Sequence, residues 1–353
     1  MSRSKRKWDH IRFALEEGEE KSSVMEDIQY IHNSLPDSRV DSVRLDHSIG
    51  GLYLSSPIFI NAMTGGGGEK TYTINRDLAA AAAAKGLAMA VGSQMAALRD
   101  KTERKTYEVV REQNPNGIIL ANLGSEASPE HAKAAIDMIG ADAIQIHLNV
   151  IQELTMPEGD RDFTGALGRI ERLVNKVNVP VIIKETGFGM SLESVRLIEE
   201  AGVSAIDIGG YGGTNFARIE NKRREKPLPF FNQWGNPTAV SIIEASKTSK
   251  NLSIIGSGGI RSSLDIAKGI SIGADAVGMA GPILKVLLNH GFEVLQEYID
   301  SLHEDLTLIM TALGAHTIKE LQQVPLIVLG NTHHWLDQRG FNTKEFSQRK
   351  IIR

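Results

Sequence analysis

The chain has 353 residues, 41% of them hydrophobic and 23% charged, with a formal net charge of −4. That balance fits a soluble globular protein of one large domain or two ordinary ones, and it argues against bulk nucleic-acid binding. Cysteine is absent, which excludes disulfides, thiolate metal sites and a cysteine nucleophile and is compatible with a reducing compartment.

Residues 1–56 read as an appendage, with a basic helix-like start over 5–15 and an acidic turn over 16–20. From there the chain repeats one unit: a short apolar run, a turn rich in Gly, Asn or Ser, then a helical stretch. The eight runs are 57–63, 87–91, 117–122, 143–147, 179–184, 204–208, 252–256 and 274–279. Near-continuous apolar runs of this length fit strands covered on both faces, as in a parallel sheet flanked by helices. Amphipathic stretches lie between them at 75–85, 102–113, 129–139, 166–176, 192–201 and 263–272. Ser128 and Pro129 mark one helix start, and Gly140, Gly202 and Gly273 mark stops. Residues 282–313 read as one long helix, and the tail carries His333, His334 and Trp335.

Eight strand-helix units point to a (β/α)8 TIM barrel with an N-terminal appendage and a C-terminal helical extension, since an open doubly wound sheet more often has five or six strands. The chemistry then belongs to the loops after each strand. Gly256, Ser257, Gly258 and Gly259 follow the seventh run, and Met279, Ala280 and Gly281 end the eighth. Barrels commonly bind phosphate between those two loops, where backbone N–H groups reach an anion closely; a tight turn is the plainer reading of either loop alone. Thr214, in the glycine loop after the sixth run, adds a hydroxyl.

The first three loops carry Asn61 to Thr64 with four glycines behind them, then Ser93, Gln94 and Met95, then Asn122 and Ser125. Amides and hydroxyls beside small residues suit the edge of a flat heteroaromatic ring better than a metal. Lys184 ends an apolar strand and would project into the mouth, to form a Schiff base, to neutralise a reduced flavin, or simply to pair with Glu185 or Glu153. His147, Asn149, Gln152 and Glu153 stand where the fourth strand ends. His147 and Asn149 suit a diphosphate, Gln152 suits a positioning role, and Glu153 is a lone carboxylate fitted to Mg2+, which takes few protein carboxylates. Taken singly, each has a blander reading as a solvated or capped residue. GxGxxG, Walker and HExxH patterns are missing, and the adjacent His333 and His334 point apart on a regular element.

These motifs together resemble the type 2, FMN-dependent isopentenyl-diphosphate delta-isomerases over nearly the whole chain. Arg6, Lys7 and His10, the Asn61 to Gly66 loop, Ser93 to Met95, Asn122 with Leu123 and Gly124, His147 to Asn149, Gln152 with Glu153, Gly212 to Asn215, Ser257 to Gly259 and Ala280 with Gly281 stand in the family's order. The resemblance implies a single FMN-binding barrel over 1–353, with a substrate lid at 1–56 and a helix and tail at 282–353. It implies FMN on Ala62, Met63, Thr64, Ser93, Asn122, Lys184, Thr214, Gly258, Gly259, Ala280 and Gly281. It further implies an isoprenoid diphosphate on Arg6, Lys7, His10, Ser93, Gln94, Met95, His147, Asn149 and Gln152, with Mg2+ on Glu153. Gln152 and Lys184 are the expected catalytic residues, and Gly209 stands where some relatives have serine.

The implied reaction interconverts isopentenyl and dimethylallyl diphosphate by a 1,3-proton shift, with reduced FMN as acid and base and NADPH as the initial reductant. The alternatives are an FMN-dependent oxidoreductase of the 2-hydroxy-acid oxidase type on the same barrel, and a flavin-binding sensor. The remaining expectations are a small-molecule partner without nucleic acid or membrane, a homo-oligomer (tetramer or octamer), and a cytoplasmic location. The last rests on the lack of an apolar run of about 18 residues or an apolar signal core.

Overall fold

The computed structural model describes residues 23–350. Eight parallel strands close into a barrel: β1 (Ile58–Ile60), β2 (Ala88–Ala90), β3 (Ile119–Gly124), β4 (Ala143–Leu148), β5 (Val181–Glu185), β6 (Ala205–Asp207), β7 (Ser253–Ser257) and β8 (Ala276–Met279). Each of the eight apolar runs holds one strand. Six helices fall on the six amphipathic stretches, with Pro129–Ile139 capped by Ser128 and closed by a left-handed Gly140, while Met95–Arg99, Val150–Thr155, Phe216–Asn221 and Thr238–Thr248 lie outside them.

Strand alternation divides each run between two environments. Outward residues such as Ile58, Met89, Ile144 and Ile183 join the layer between barrel and helices. Inward residues Phe59, Ala88, Leu120, Ala143, Ile182, Ala205, Ile255 and Ala276 pack the lower barrel. Two residues further along the same strands the inward position turns polar, at Asn61, Asn122, Gln145, Lys184, Asp207 and Ser257. The barrel is thus apolar at its base and hydrogen-bonded at its mouth, and the register pairs Asn122 with Gln145, His147 with Lys184, and Lys184 with Asp207.

Two expectations for the appendages are corrected. The described part of the appendage, residues 23–56, does not form one lid. The antiparallel strands His47–Ile49 and Leu52–Leu54 close the opposite, N-terminal end, because Ile49, Leu52 and Leu54 need apolar cover and find it on the lower barrel layer. The Gly50 amide there donates to Ser253 Oγ at 2.9 Å. Ile28–Tyr30 pairs instead with the tail strand Leu326–Val328. The expected single helix over 282–313 is two, Gly281–His290 and Phe292–Leu313, broken at Gly291, whose φ of 90° lies outside helical space.

Candidate functional site

A cavity of about 590 Å³ opens at the C-terminal ends of the strands, within the range of about 300–1,000 Å³ usual for ligand pockets. Every strand end contributes to its wall. Ala62, Met63 and Thr64 come from the loop after β1, Ser93 from that after β2, and Asn122 from β3. Thr214 follows β6, Gly258 and Gly259 follow β7, and Ala280 and Gly281 follow β8.

The glycine loops are shaped for close approach. Gly259 has φ 79°, and a Cβ there would collide with the Gly212 carbonyl. Gly281 begins a ten-residue helix and has open space where a side chain would stand, so the helix start faces the cavity wall unobstructed. Backbone N–H groups, a helix N-terminus and no side-chain cover make a site for a phosphate.

The floor is one hydrogen-bonded network. Asp207 is fully buried and accepts from Asn61 Nδ2 at 2.7 Å, Gln145 Nε2 at 3.4 Å, the Ser257 hydroxyl and the Gly209 amide. Lys184 Nζ lies 3.5 Å from Asp207 Oδ2 and donates to the Glu185 carbonyl at 2.7 Å. The lysine therefore pairs with Asp207, not with the carboxylates of Glu185 or Glu153. Asn122 donates to Gln145 Oε1 at 3.3 Å, and its Oδ1 lies 2.9 Å from His147 Nδ1, so the five strands β3 to β7 share the network with Asn61 at the end of β1.

The helix Val150–Thr155, entered through Asn149, carries the second group. Asn149 Nδ2 donates to Glu153 Oε1 at 2.8 Å, and Glu153 Oε2 accepts the Asp160 amide at 2.8 Å. Burial lifts the Glu153 carboxyl above the ordinary glutamate range, and the nearby Asp160 and Glu126 charges push the same way, against those hydrogen bonds. Gln152 Nε2 donates to Glu220 Oε1 at 3.4 Å; Glu220 is fully buried and ion-paired to Arg223. The amide of Gln152 is thereby held from behind.

Ser93, His147, Asn149, Gln152 and Glu153 all reach the cavity. Gln94 and Met95 do not. Both are buried at the start of the helix Met95–Arg99; Gln94 donates to the Ala135 carbonyl at 2.9 Å and accepts the Asn122 amide at 3.1 Å, which fastens β3 to the helix behind it. In this structure both side chains pack the core. Arg6, Lys7 and His10 lie outside the described residues.

Gly209, which stands where some relatives have serine, has φ 50°, and a Cβ there would meet the Glu185 carbonyl unless the turn shifted, so as folded here the turn suits glycine. Glu185 itself accepts from the amides of Gly187, Phe188 and Gly189, and burial pushes its carboxyl up to about 8 against those bonds and Lys184. Sequence reading missed Gln145, Asp207 and Glu220. The signal for the first two was present: each is a polar residue inside an otherwise apolar strand run. Among the described residues no group of three or more metal-ligating side chains occurs, and no helix is long and apolar enough to cross a membrane.

The FMN-dependent dehydrogenase family profile matches residues 77–327. An isopentenyl-diphosphate delta-isomerase of Geobacillus sp. (strain WCH70) is 59% identical over 349 residues, covering 99% of this chain and 100% of the relative. One from Bacillus cytotoxicus matches at the same identity and coverage. Among solved structures, a lactate oxidase of Pediococcus acidilactici superposes with TM-score 0.68 over 92% of this chain and 94% of its own, at 16% identity. Flavocytochrome b2 superposes with TM-score 0.67 over 93% and 83%, at 17% identity. These two likenesses speak to the barrel alone.

Proposed function

Since the chain belongs to the FMN-dependent isopentenyl-diphosphate delta-isomerases, we propose that its cavity shifts a proton across an isoprenoid diphosphate, with Mg2+ on the diphosphate and no net redox change. The observation that carries this reading is the pairing of Gln152 and Glu153 on one helical turn, facing the same cavity as the glycine loops and Lys184.

The residues present fit FMN. The phosphate would sit against Gly258, Gly259, Ala280 and Gly281, with Thr214 beside it. Ala62, Met63, Thr64, Ser93, Asn122 and Lys184, which line the cavity, would hold the ring. Lys184 supplies a buried cation suited to an anionic ring edge, and Asp207 fixes its position. When bound and reduced, by NADPH or another reductant, the flavin supplies the proton donor and acceptor through N5.

The protein's own part is to bind and aim. His147 and Asn149 would donate to the diphosphate, and Glu153 would hold Mg2+, which takes few protein carboxylates. The lifted carboxyl of Glu153 supports this assignment: a cation would relieve the burial and the crowding by Asp160 and Glu126. Gln152 directs the isoprenoid carbon skeleton at the ring, steadied by Glu220 and Arg223. Arg6, Lys7 and His10 belong to the same proposal, as cations for the outer phosphate. So does assembly into a homo-oligomer, which sedimentation would test.

Isopentenyl diphosphate incubated in deuterated water with the reduced, FMN-loaded protein and Mg2+ should give dimethylallyl diphosphate labelled in a methyl group. Unlabelled product, or none, would overturn the proposed proton shift.

A further inference from the structure

The glycine loops at the mouth are held from outside by the first described residues of the chain. The Ser23 hydroxyl donates to Asp265 Oδ1. Asp265 is buried, and its other oxygen accepts the amides of Arg261 at 3.1 Å and Ser262 at 3.2 Å, which form the exit of the Gly258 to Ile260 turn. One carboxylate therefore ties the N-terminal strand of chain to the loop after β7.

Val24 completes the contact. A Cβ added at Gly212 or at Gly259 would collide with Val24 Cγ1, so this side chain lies against the loop after β6 and the loop after β7 together. Met25 is fully buried, and its carbonyl accepts Lys268 Nζ at 3.1 Å, anchoring the step to the helix Ser263–Ser271. Arg261 extends the tie inward: its carbonyl accepts the Tyr298 hydroxyl at 3.2 Å, and its guanidinium donates to the Gly212 carbonyl at 3.4 Å.

We infer that Asp265 is a positioning residue for the cofactor phosphate, and that Ser23, Val24 and Met25 form with it a brace holding the two glycine loops at the spacing a phosphate requires. The inference rests on the reading that the FMN phosphate sits between those loops. Neither Asp265 nor Ser23 lines the cavity, so each acts through the loop backbone.

The test is the ratio of FMN to riboflavin affinity, read by flavin fluorescence in the full-length apoprotein. Riboflavin shares the ring and lacks the phosphate, so general loss of fold weakens both ligands while a displaced phosphate loop weakens FMN alone. Wild type should prefer FMN. Asp265→Asn should shrink that preference about tenfold and Ser23→Ala by a smaller factor. The double variant should be no worse than Asp265→Asn, because both report one bond. Ser23→Thr, which keeps the hydroxyl, should restore the ratio. If Asp265→Asn does not fold, Ser23→Ala and Val24→Ala decide the matter by the same ratio. A wild-type preference that persists in the variants overturns the brace and leaves the phosphate site standing; a wild type with no preference overturns the phosphate site and the brace with it.

Discussion

Replacing Lys184 with methionine removes the cation beside a carboxylate that has no solvent exposure. At 3.5 Å the attraction between the two charges is about 5 kcal/mol at an effective dielectric near 20. Removing one partner of a buried pair costs about 3–5 kcal/mol, because the other charge stays buried. Asp207 keeps donors from Asn61, Gln145, Ser257 and the Gly209 amide, so the loss should fall at the lower end, about 3 kcal/mol. Urea unfolding of the apoprotein, followed by circular dichroism at neutral pH, measures it without any contribution from bound flavin. Adding Asp207→Asn to Lys184→Met removes the stranded charge, so the double variant should be more stable than Lys184→Met alone. The reasoning fails if Lys184→Met costs less than about 1 kcal/mol, or if the two substitutions simply add.

Glu153→Gln should lower Mg2+-dependent turnover by at least about tenfold while FMN affinity stays at the wild-type value; full activity would remove the metal assignment. Gly209→Ser should destabilise the protein by about 2 kcal/mol or more, since the side chain meets the Glu185 carbonyl at a left-handed residue, and a thermal melt reads this directly. Glu185 has a folded-state carboxyl pushed up to about 8, above its unfolded value, so the folded protein holds the extra proton. The stability this contributes is full below the unfolded pKa and is lost as pH rises through about 8. Unfolding free energy should therefore fall between pH 5 and 8.5, and Glu185→Gln should flatten that slope.

The barrel was legible because a buried parallel strand advertises itself: residues 87–91 are apolar on both faces, and residues 179–184 stay so until Lys184 ends the run. The mouth was legible where loop chemistry is local, as in Gly258 with Gly259 or Gln152 with Glu153. What escaped depends on register. Asp207 matters because strand pairing sets it beside Lys184, and Glu220 because its helix packs on the one carrying Gln152. Gln94 follows Ser93 in sequence, yet the turn into Met95–Arg99 sends it to the core. The hairpin at residues 47–54 went astray for a similar reason: nothing local says which end of a barrel an apolar hairpin closes.

Anaerobic turnover of isopentenyl diphosphate by the FMN-loaded protein with Mg2+, counted against NADPH oxidised, bears most directly on the claim that this site moves a proton without net redox. Many molecules of dimethylallyl diphosphate for each NADPH consumed is the result the account predicts. One NADPH spent per turnover would contradict it.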